Sequence, residues 1–320
     1  MSTQRDVFIN ELFNYAKNDK DIILISVDMG APSLDQWRAE LPDQFIAAGI
    51  SEQNAINVAA GLSAEGKKVY VYFMAAWVAR CFEQIRYSCS MGNNPITIIG
   101  NSVGLGYAPA GPAHSPTEDI AYMRSINNIE IISPSNLSVI KSIVKLTYED
   151  LKLRYIRLER SIAKQTETLY TNSFLIESGA SVVKSGLSEV FDGRTKLAIV
   201  SSGYMLGRAI DVSNKLLDLN TGRVENCVID LWRVKPLNNN VLKSVFKDFT
   251  HVVTIEEQTL DGGFGSSIYE FLMDNQIFVK TLRLGFPEKF IFENGTRDYL
   301  LNKHGLSTDS IYNRIINFVN

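Results

Sequence analysis

The chain has 320 residues, 45% of them hydrophobic, with a net charge of −3 and a pI near 5.8. That length rules out a single small module and suits two domains with a core each, while the slight acidic balance supplies no global basic field for nucleic acid or an anionic membrane. The three cysteines, Cys81, Cys89 and Cys227, show no metal-ligand spacing, and their odd number argues against a disulfide framework, so reduced thiols are expected.

Residues 1–21 carry Arg5, Asp6 and Glu11 ahead of any apolar run and lack the apolar core of a secretory signal. No apolar segment approaches the length of a membrane span, and the expectation is a cytoplasmic protein. Short β-branched runs then alternate with amphipathic stretches. Residues 22–27, 69–73, 96–100, 129–133 and 154–158 read as strands, and 52–64, 75–90 and 136–148 as helices. Strands that are apolar almost throughout, separated by helices, predict a parallel sheet covered on both faces. A second set begins near Lys196, with strands over 197–201, 225–229, 251–255 and 278–284 and helices over 206–217, 241–246, 265–274 and 307–318. The fold class is therefore α/β, with two domains that are each a mostly parallel sheet covered by helices. The polar stretch 163–171 has no strong periodicity, which places a first domain over 1–165, a linker over 166–182 and a second domain over 183–320.

The helix predicted over 52–64 opens in Gly49-Ile50-Ser51-Glu52-Gln53-Asn54. Ser51 suits an N-cap, Gly66 suits the residue beyond the C-terminus, and Glu52 puts a carboxylate in the first turn, where it complements the helix dipole. The string also resembles the G-I-x-E-Q-N signature of the transketolase family. In that family the glutamate hydrogen-bonds the aminopyrimidine of thiamine diphosphate, so the resemblance implies this role for Glu52. An acid is required there because it shares a proton with N1′ and drives the ring toward its imino tautomer, whose nitrogen acts as the base. Glutamine could hold the ring but not exchange the proton.

The resemblance continues downstream. Met74-Ala75-Ala76-Trp77-Val78-Ala79-Arg80-Cys81-Phe82-Glu83-Gln84-Ile85-Arg86 suits an ordinary buried helix, and it also resembles the family's F-A-A-F-F-T-R-A-F-D-Q-I-R without a gap. Trp77 falls where the family has an aromatic that stacks on the aminopyrimidine, and Arg80 where many members keep an arginine close to cofactor or substrate. Asp28 lies at the carboxyl end of the first predicted strand, where open α/β sheets bind ligands, and the family often has an acid there. The loop 102–115 is rich in glycine and proline and is expected at an edge of the sheet. Ser115-Pro116-Thr117-Glu118 reads as a capping box with proline at the first helical position. Its glycine spacing fails as a dinucleotide fingerprint. The loop resembles G-x-G-x-D-G-P-T-H-Q of transketolases with two extra residues after the second glycine, which makes His114 the counterpart of a histidine that contacts substrate oxygen. Where the family has an aspartate that reads the donor hydroxyl, this chain has Ala110.

Residues 154–160 carry three arginines, Arg154, Arg157 and Arg160. The resemblance aligns Arg160 best with an arginine that grips a sugar phosphate, a task suited to a planar guanidinium, and leaves Arg157 as the competitor. Alternating charge on an edge strand is the other explanation. In the second half, 254–267 reads as a strand, a glycine-rich turn and a helix, resembling V-E-E-H-x-x-x-G-G-L-G-S of the transketolase C-terminal domain, which packs and supports dimerisation. The family's G-D-G, which with a later asparagine holds Mg²⁺ and so the diphosphate, has no counterpart. Asp192-Gly193 and Asp261-Gly262 are partial strings in the wrong place.

The resemblance thus implies the second half of a split transketolase, an enzyme that moves a two-carbon ketol unit from a ketose to an aldehyde. Thiamine diphosphate and Mg²⁺ would be held with a separate N-terminal-type subunit in an α2β2 assembly, and the sugar would be anionic. A 2-oxo-acid dehydrogenase β chain, a deoxyxylulose-phosphate-synthase-like enzyme and a pseudo-enzyme interaction partner are the alternatives.

Overall fold

A computed structural model describes residues 3–160, 178–185, 187, 195–219 and 224–320. The polar stretch 163–171, most of the expected linker and Asp192-Gly193 lie outside the described residues. The strands are β1 (Ile22–Ser26), β2 (Phe45–Ala47), β3 (Lys68–Met74), β4 (Ile96–Asn101), β5 (Glu130–Ile132), β6 (Arg154–Leu158), β7 (Ser181–Ser185), β8 (Thr195–Ser201), β9 (Val224–Asp230), β10 (Arg233–Lys235), β11 (His251–Thr259) and β12 (Lys280–Phe286). They form two sheets, β10-β5-β6-β4-β3-β1-β2 and β12-β11-β8-β9-β7. All pairings are parallel except β10 with β5 and β7 with β9. The α/β fold with two mostly parallel sheets is as expected from the strand patterns.

The alternation of side chains along a strand explains why these apolar runs are buried on both sides. In β1, Ile23 and Ile25 join one core while Ile22 and Leu24 join the other; in β3, Val69, Val71 and Phe73 face the first and Tyr70 and Tyr72 the second. Helix α1 (Gln4–Ala16) covers the second face with Phe8, Ile9, Leu12 and Phe13, joined by Leu34 and Trp37 of α2 (Pro32–Glu40). On the opposite face, α3 (Glu52–Ala64) sets Ala55, Ile56, Ala59 and Ala60. Its small residues let the helix lie close to the sheet. The helix expected over 75–90 follows an uneven path: a 3-10 segment Ala75–Cys81, one α turn Phe82–Gln84 and a π segment Ile85–Met91. Loop 102–115 lies beyond the carboxyl end of β4, an interior strand, and β6 is likewise interior between β5 and β4. Neither is at the lateral edge that sequence suggested. No described helix is long and apolar enough to cross a membrane.

Three features join the halves. Strand β10 crosses back to complete the first sheet. The apolar core under α3 continues into Ala198, Val200, Ile229, Phe264 and Ile268 of the second half. The third is an ion cluster in which the buried Arg297 guanidinium donates to Glu159 Oε2 at 2.6 Å and Oε1 at 3.0 Å, to Glu257 Oε1 at 2.8 Å, and also to Glu257 Oε2. Its Cζ lies 3.6 Å from the centre of the Tyr204 ring. Replacing Arg297 with methionine leaves two carboxylates buried without their counter-charge, and a loss of about 3–5 kcal/mol is expected in urea unfolding. A loss under about 1 kcal/mol would contradict this role.

Glu256, the neighbour of Glu257, is buried, and burial pushes its carboxyl up to about 8, although the backbone N–H groups of Gly265 and Phe264 pull it down. The Gly265 N–H donates to its Oε1 at 2.8 Å. The folded chain therefore keeps this proton up to about pH 8, whereas the unfolded chain releases it near the ordinary value of 4.5. Between those values the native state binds more protons, so stability falls as pH rises; the contribution is whole below 4.5 and lost above about 8. Glu256→Gln should flatten the pH dependence of the urea midpoint across this window, by an amount on the order of a few kcal/mol. An unchanged slope would place the native titration elsewhere.

Candidate functional site

Helix α3 begins where Gly49 turns the chain with a φ of +69°, a conformation that disfavours a side chain. Ser51 occupies the capping position, but its hydroxyl donates to the Ala48 carbonyl at 2.7 Å and does not cap the helix. Gly66, with a φ of +85°, ends the helix as expected: its N–H reaches the Ser63 carbonyl, and the Lys67 N–H reaches that of Leu62. Glu52 is thereby fixed in the first turn with its side chain only 4% exposed.

The segment after β3 brings two more predicted residues to this acid. Arg80 Nη1 lies 3.5 Å from Glu52 Oε2, and its Cζ lies 4.7 Å from the centre of the half-buried Trp77 ring. Trp77 also meets the His114 imidazole edge to face, with ring centres 5.2 Å apart and planes at 68°. Tyr107 packs on His114 at 5.8 Å and 81°, and the Arg160 guanidinium lies over Tyr107 at 4.5 Å. Glu52, Arg80, Trp77, His114, Tyr107 and Arg160 thus form one unbroken line of contacts across the carboxyl ends of β3, β4 and β6. His114 Nδ1 is buried without a hydrogen-bond partner among the described residues, so the imidazole retains bonding capacity. Cys81 lies in the same segment; burial, and then the Glu52 charge, push its thiol up to about 12, which keeps it neutral. All three cysteines are free and buried.

Sequence reasoning missed Tyr107. It belongs to the two residues by which the loop exceeds the family pattern, and an aromatic in that position was the available signal. Asp28 is exposed beyond β1 and stands outside the line. Arg157 requires a correction. Its Nε and Nη2 donate to Asp119 at 2.7 and 3.1 Å and its Nη1 donates to Ser133 Oγ at 2.9 Å, while the Tyr155 hydroxyl also donates to Asp119. The guanidinium is buried, and although burial alone would lower its pKa, the Asp119 charge raises it above the usual value. Three of its five N–H donors are taken inside the fold, so it serves as an internal ion pair, and the exposed Arg160 is the better placed of the two for an anion. The helix expected at Ser115 begins later, at Asp119 with Glu118 as its flanking residue and no side-chain cap; the Ser115 hydroxyl turns back to the Gly111 carbonyl at 3.1 Å.

Family models match both halves: the transketolase pyrimidine binding domain over residues 2–165 and the transketolase C-terminal domain over 188–311. The 1-deoxy-D-xylulose-5-phosphate synthase of Caldanaerobacter subterraneus subsp. tengcongensis is 31% identical over 97% of this chain and 48% of its own length. One subunit of the apulose-4-phosphate transketolase of Phocaeicola vulgatus is 28% identical over 98% of this chain and 97% of its own. The chain thus spans about half the length of the synthase and nearly all of the transketolase subunit. A solved structure described as a split gene transketolase, inactive beta4 tetramer, has a TM-score of 0.84 at 25% identity, covering 100% of this chain and 99% of that one. A transketolase from Campylobacter jejuni shares the fold, with a TM-score of 0.78 at 16% identity over 98% of this chain and 46% of its own.

The two arginines predict opposite behaviours. Arg157→Ala strands Asp119 in the core and should cost about 3–5 kcal/mol in urea unfolding. Arg160→Ala, at an exposed position, should stay within about 0.5 kcal/mol of the parent. Similar losses from both would undo the separation of their roles.

Proposed function

Because this chain belongs to the transketolase family, we propose that it is the C-terminal-type subunit of a split enzyme that transfers a two-carbon ketol unit from an anionic ketose to an aldehyde. The observation that carries this reading is Glu52, a buried carboxylate in the first turn of a helix, next to the accessible ring of Trp77 and in line with His114. The residues fit an aminopyrimidine: a flat aromatic face lies beside an acid whose side-chain partner among the described residues is one arginine nitrogen at 3.5 Å. When bound, thiamine diphosphate supplies the C2 carbanion that carries the two-carbon unit.

Each side chain then has a task. Glu52 holds and shares a proton at the pyrimidine N1′, which glutamine cannot do. Trp77 packs against the ring and keeps water from that face. Arg80 balances the charge of Glu52 and borders the cofactor. His114 holds or moves a proton at a donor oxygen. Arg160 anchors the anionic end of the sugar. Ala110 offers no carboxylate to a donor hydroxyl, so the donor is not restricted to the ordinary pentulose phosphates.

The end-to-end likeness to a relative named as one subunit of a transketolase supports a companion chain that holds the diphosphate and Mg²⁺; the proposal places the two in an α2β2 complex in the cytoplasm. The synthase relatives favour a second reading, in which the reconstituted pair consumes pyruvate and releases carbon dioxide. Oxidative decarboxylation would mark a 2-oxo-acid dehydrogenase β chain, and failure of the pair to bind cofactor would mark a pseudo-enzyme.

The test is Glu52→Gln in the reconstituted pair. Turnover should fall by about a thousandfold or more, with assembly judged by gel filtration intact. A near-normal rate would sink the assignment.

A further inference from the structure

We propose that Tyr107 is a positioning residue that fixes the distance between His114 and Arg160 and so selects a short sugar carrying a terminal phosphate or comparable oxyanion. This rests on the transferase reading above and adds to it the element that sets substrate length and charge.

The loop explains how one phenol can do this. The Leu105 and Ala108 side chains, flanking Tyr107, are buried in the core of the second domain. Successive turns stiffen the backbone: Gly106 N–H to the Val103 carbonyl at 2.9 Å, Ala108 N–H to Leu105 at 3.1 Å, and Ala110 N–H to Tyr107 at 3.0 Å. The ring is therefore presented from a braced stretch of chain. One contact meets His114 edge to face at 5.8 Å, and the other carries the Arg160 guanidinium at 4.5 Å.

A guanidinium held over an aromatic face is attracted by the ring quadrupole and loses water from one side, while its N–H groups, which lie in its own plane, stay available for an oxyanion. Without that ring, Arg160 would range over the surface on a long side chain, and each binding event would have to order it. The imidazole centre and the guanidinium carbon can be no further apart than the 5.8 Å and 4.5 Å contacts laid end to end. That span suits a short chain with a carbonyl-end oxygen on His114 and an oxyanion on Arg160. It also gives the two additional residues of the loop a purpose in a chain where Ala110 reads no hydroxyl. Specificity would come from length and charge in place of a carboxylate contact.

The experiment compares wild type, Tyr107→Leu and Tyr107→Phe in the reconstituted complex, with xylulose 5-phosphate and xylulose as donor probes. A parallel binding measurement follows the fluorescence of Trp77, which touches His114, whereas Trp37 and Trp232 are fully buried. Tyr107→Leu should raise KM and the binding midpoint for the phosphorylated sugar about tenfold, with kcat within about threefold and the neutral sugar affected less than about twofold. Tyr107→Phe, which keeps the ring, should restore the wild-type values.

Equal losses on both sugars, no loss on either, failure of phenylalanine to rescue, or no binding of the phosphorylated sugar by wild type would each overturn the proposal. Wild-type binding without ketol transfer, with the tenfold difference in the fluorescence midpoint intact, would support the role of Tyr107 and remove only the transferase reading.

Discussion

The fold turns on the ion cluster that Arg297 makes with Glu159 and Glu257. Glu159 follows β6 of the first sheet, Glu257 lies in β11 of the second, and Arg297 opens the helix Arg297–Lys303. Burying three charges costs desolvation energy, which is recovered only where the geometry satisfies nearly every donor and acceptor. Here the guanidinium spans both carboxylates while its face rests on Tyr204. Such a cluster is a poor source of net stability compared with apolar packing, but it permits one relative placement of the halves, because any other leaves a charge bare.

That placement determines the site. Glu159 is the residue before Arg160, so the cluster sets where the exposed Arg160 guanidinium emerges. Gly104, which begins the turns leading to Tyr107 and His114, has a φ of +55° and lies so close to the carboxylate that a β-carbon there would fall 2.2 Å from Glu257 Oε2. The far end of the same loop is fixed by Asp119 on Arg157. A long loop that would otherwise be costly to order is thus pinned at both ends by buried acids, one from the loop's own continuation and one from the other sheet.

The legible and illegible parts of the sequence divide along the same line. Strands β1, β3, β4, β6 and β8 could be read within about two residues because a parallel strand covered on both faces must be apolar along its length. Glu52, Trp77 and His114 could be read because their neighbours carry a local pattern. Helix α1 could not, although Phe8, Ile9, Leu12 and Phe13 have helical spacing, because Arg5, Asp6 and Glu11 are interleaved with them and blur the apolar stripe. Strand β10 is three residues long and pairs across the halves, so no local pattern announces it. Arg157 and Arg160 look alike in sequence; what separates them is Asp119, brought beneath Arg157 by the fold. The caps at Ser51 and Ser115 failed for a related reason: each hydroxyl has a closer carbonyl in its own turn.

The buried acids also differ in how they are paired. Glu159, Glu257 and Asp119 each meet an arginine through more than one hydrogen bond. Their lone pairs are occupied, and removing a partner would expose a costly charge. Glu52 is as well buried, yet its ion pair is one contact at 3.5 Å with an arginine whose side chain is 54% exposed. If Glu52 served only to fasten α3, the same fold has repeatedly found a tighter solution. A helix-dipole role does not need burial either, since a solvated carboxylate gains that stabilisation without the desolvation cost. An acid kept dry and only loosely paired retains acceptor capacity toward a ligand, and the aromatic faces of Trp77, His114 and Tyr107 lead away from it toward Arg160. Glu256 also lacks a tight arginine partner, but it is bonded to backbone N–H inside the fold, so it is the place of Glu52 beside Arg80 and Trp77 that makes it the candidate for the proposed chemistry.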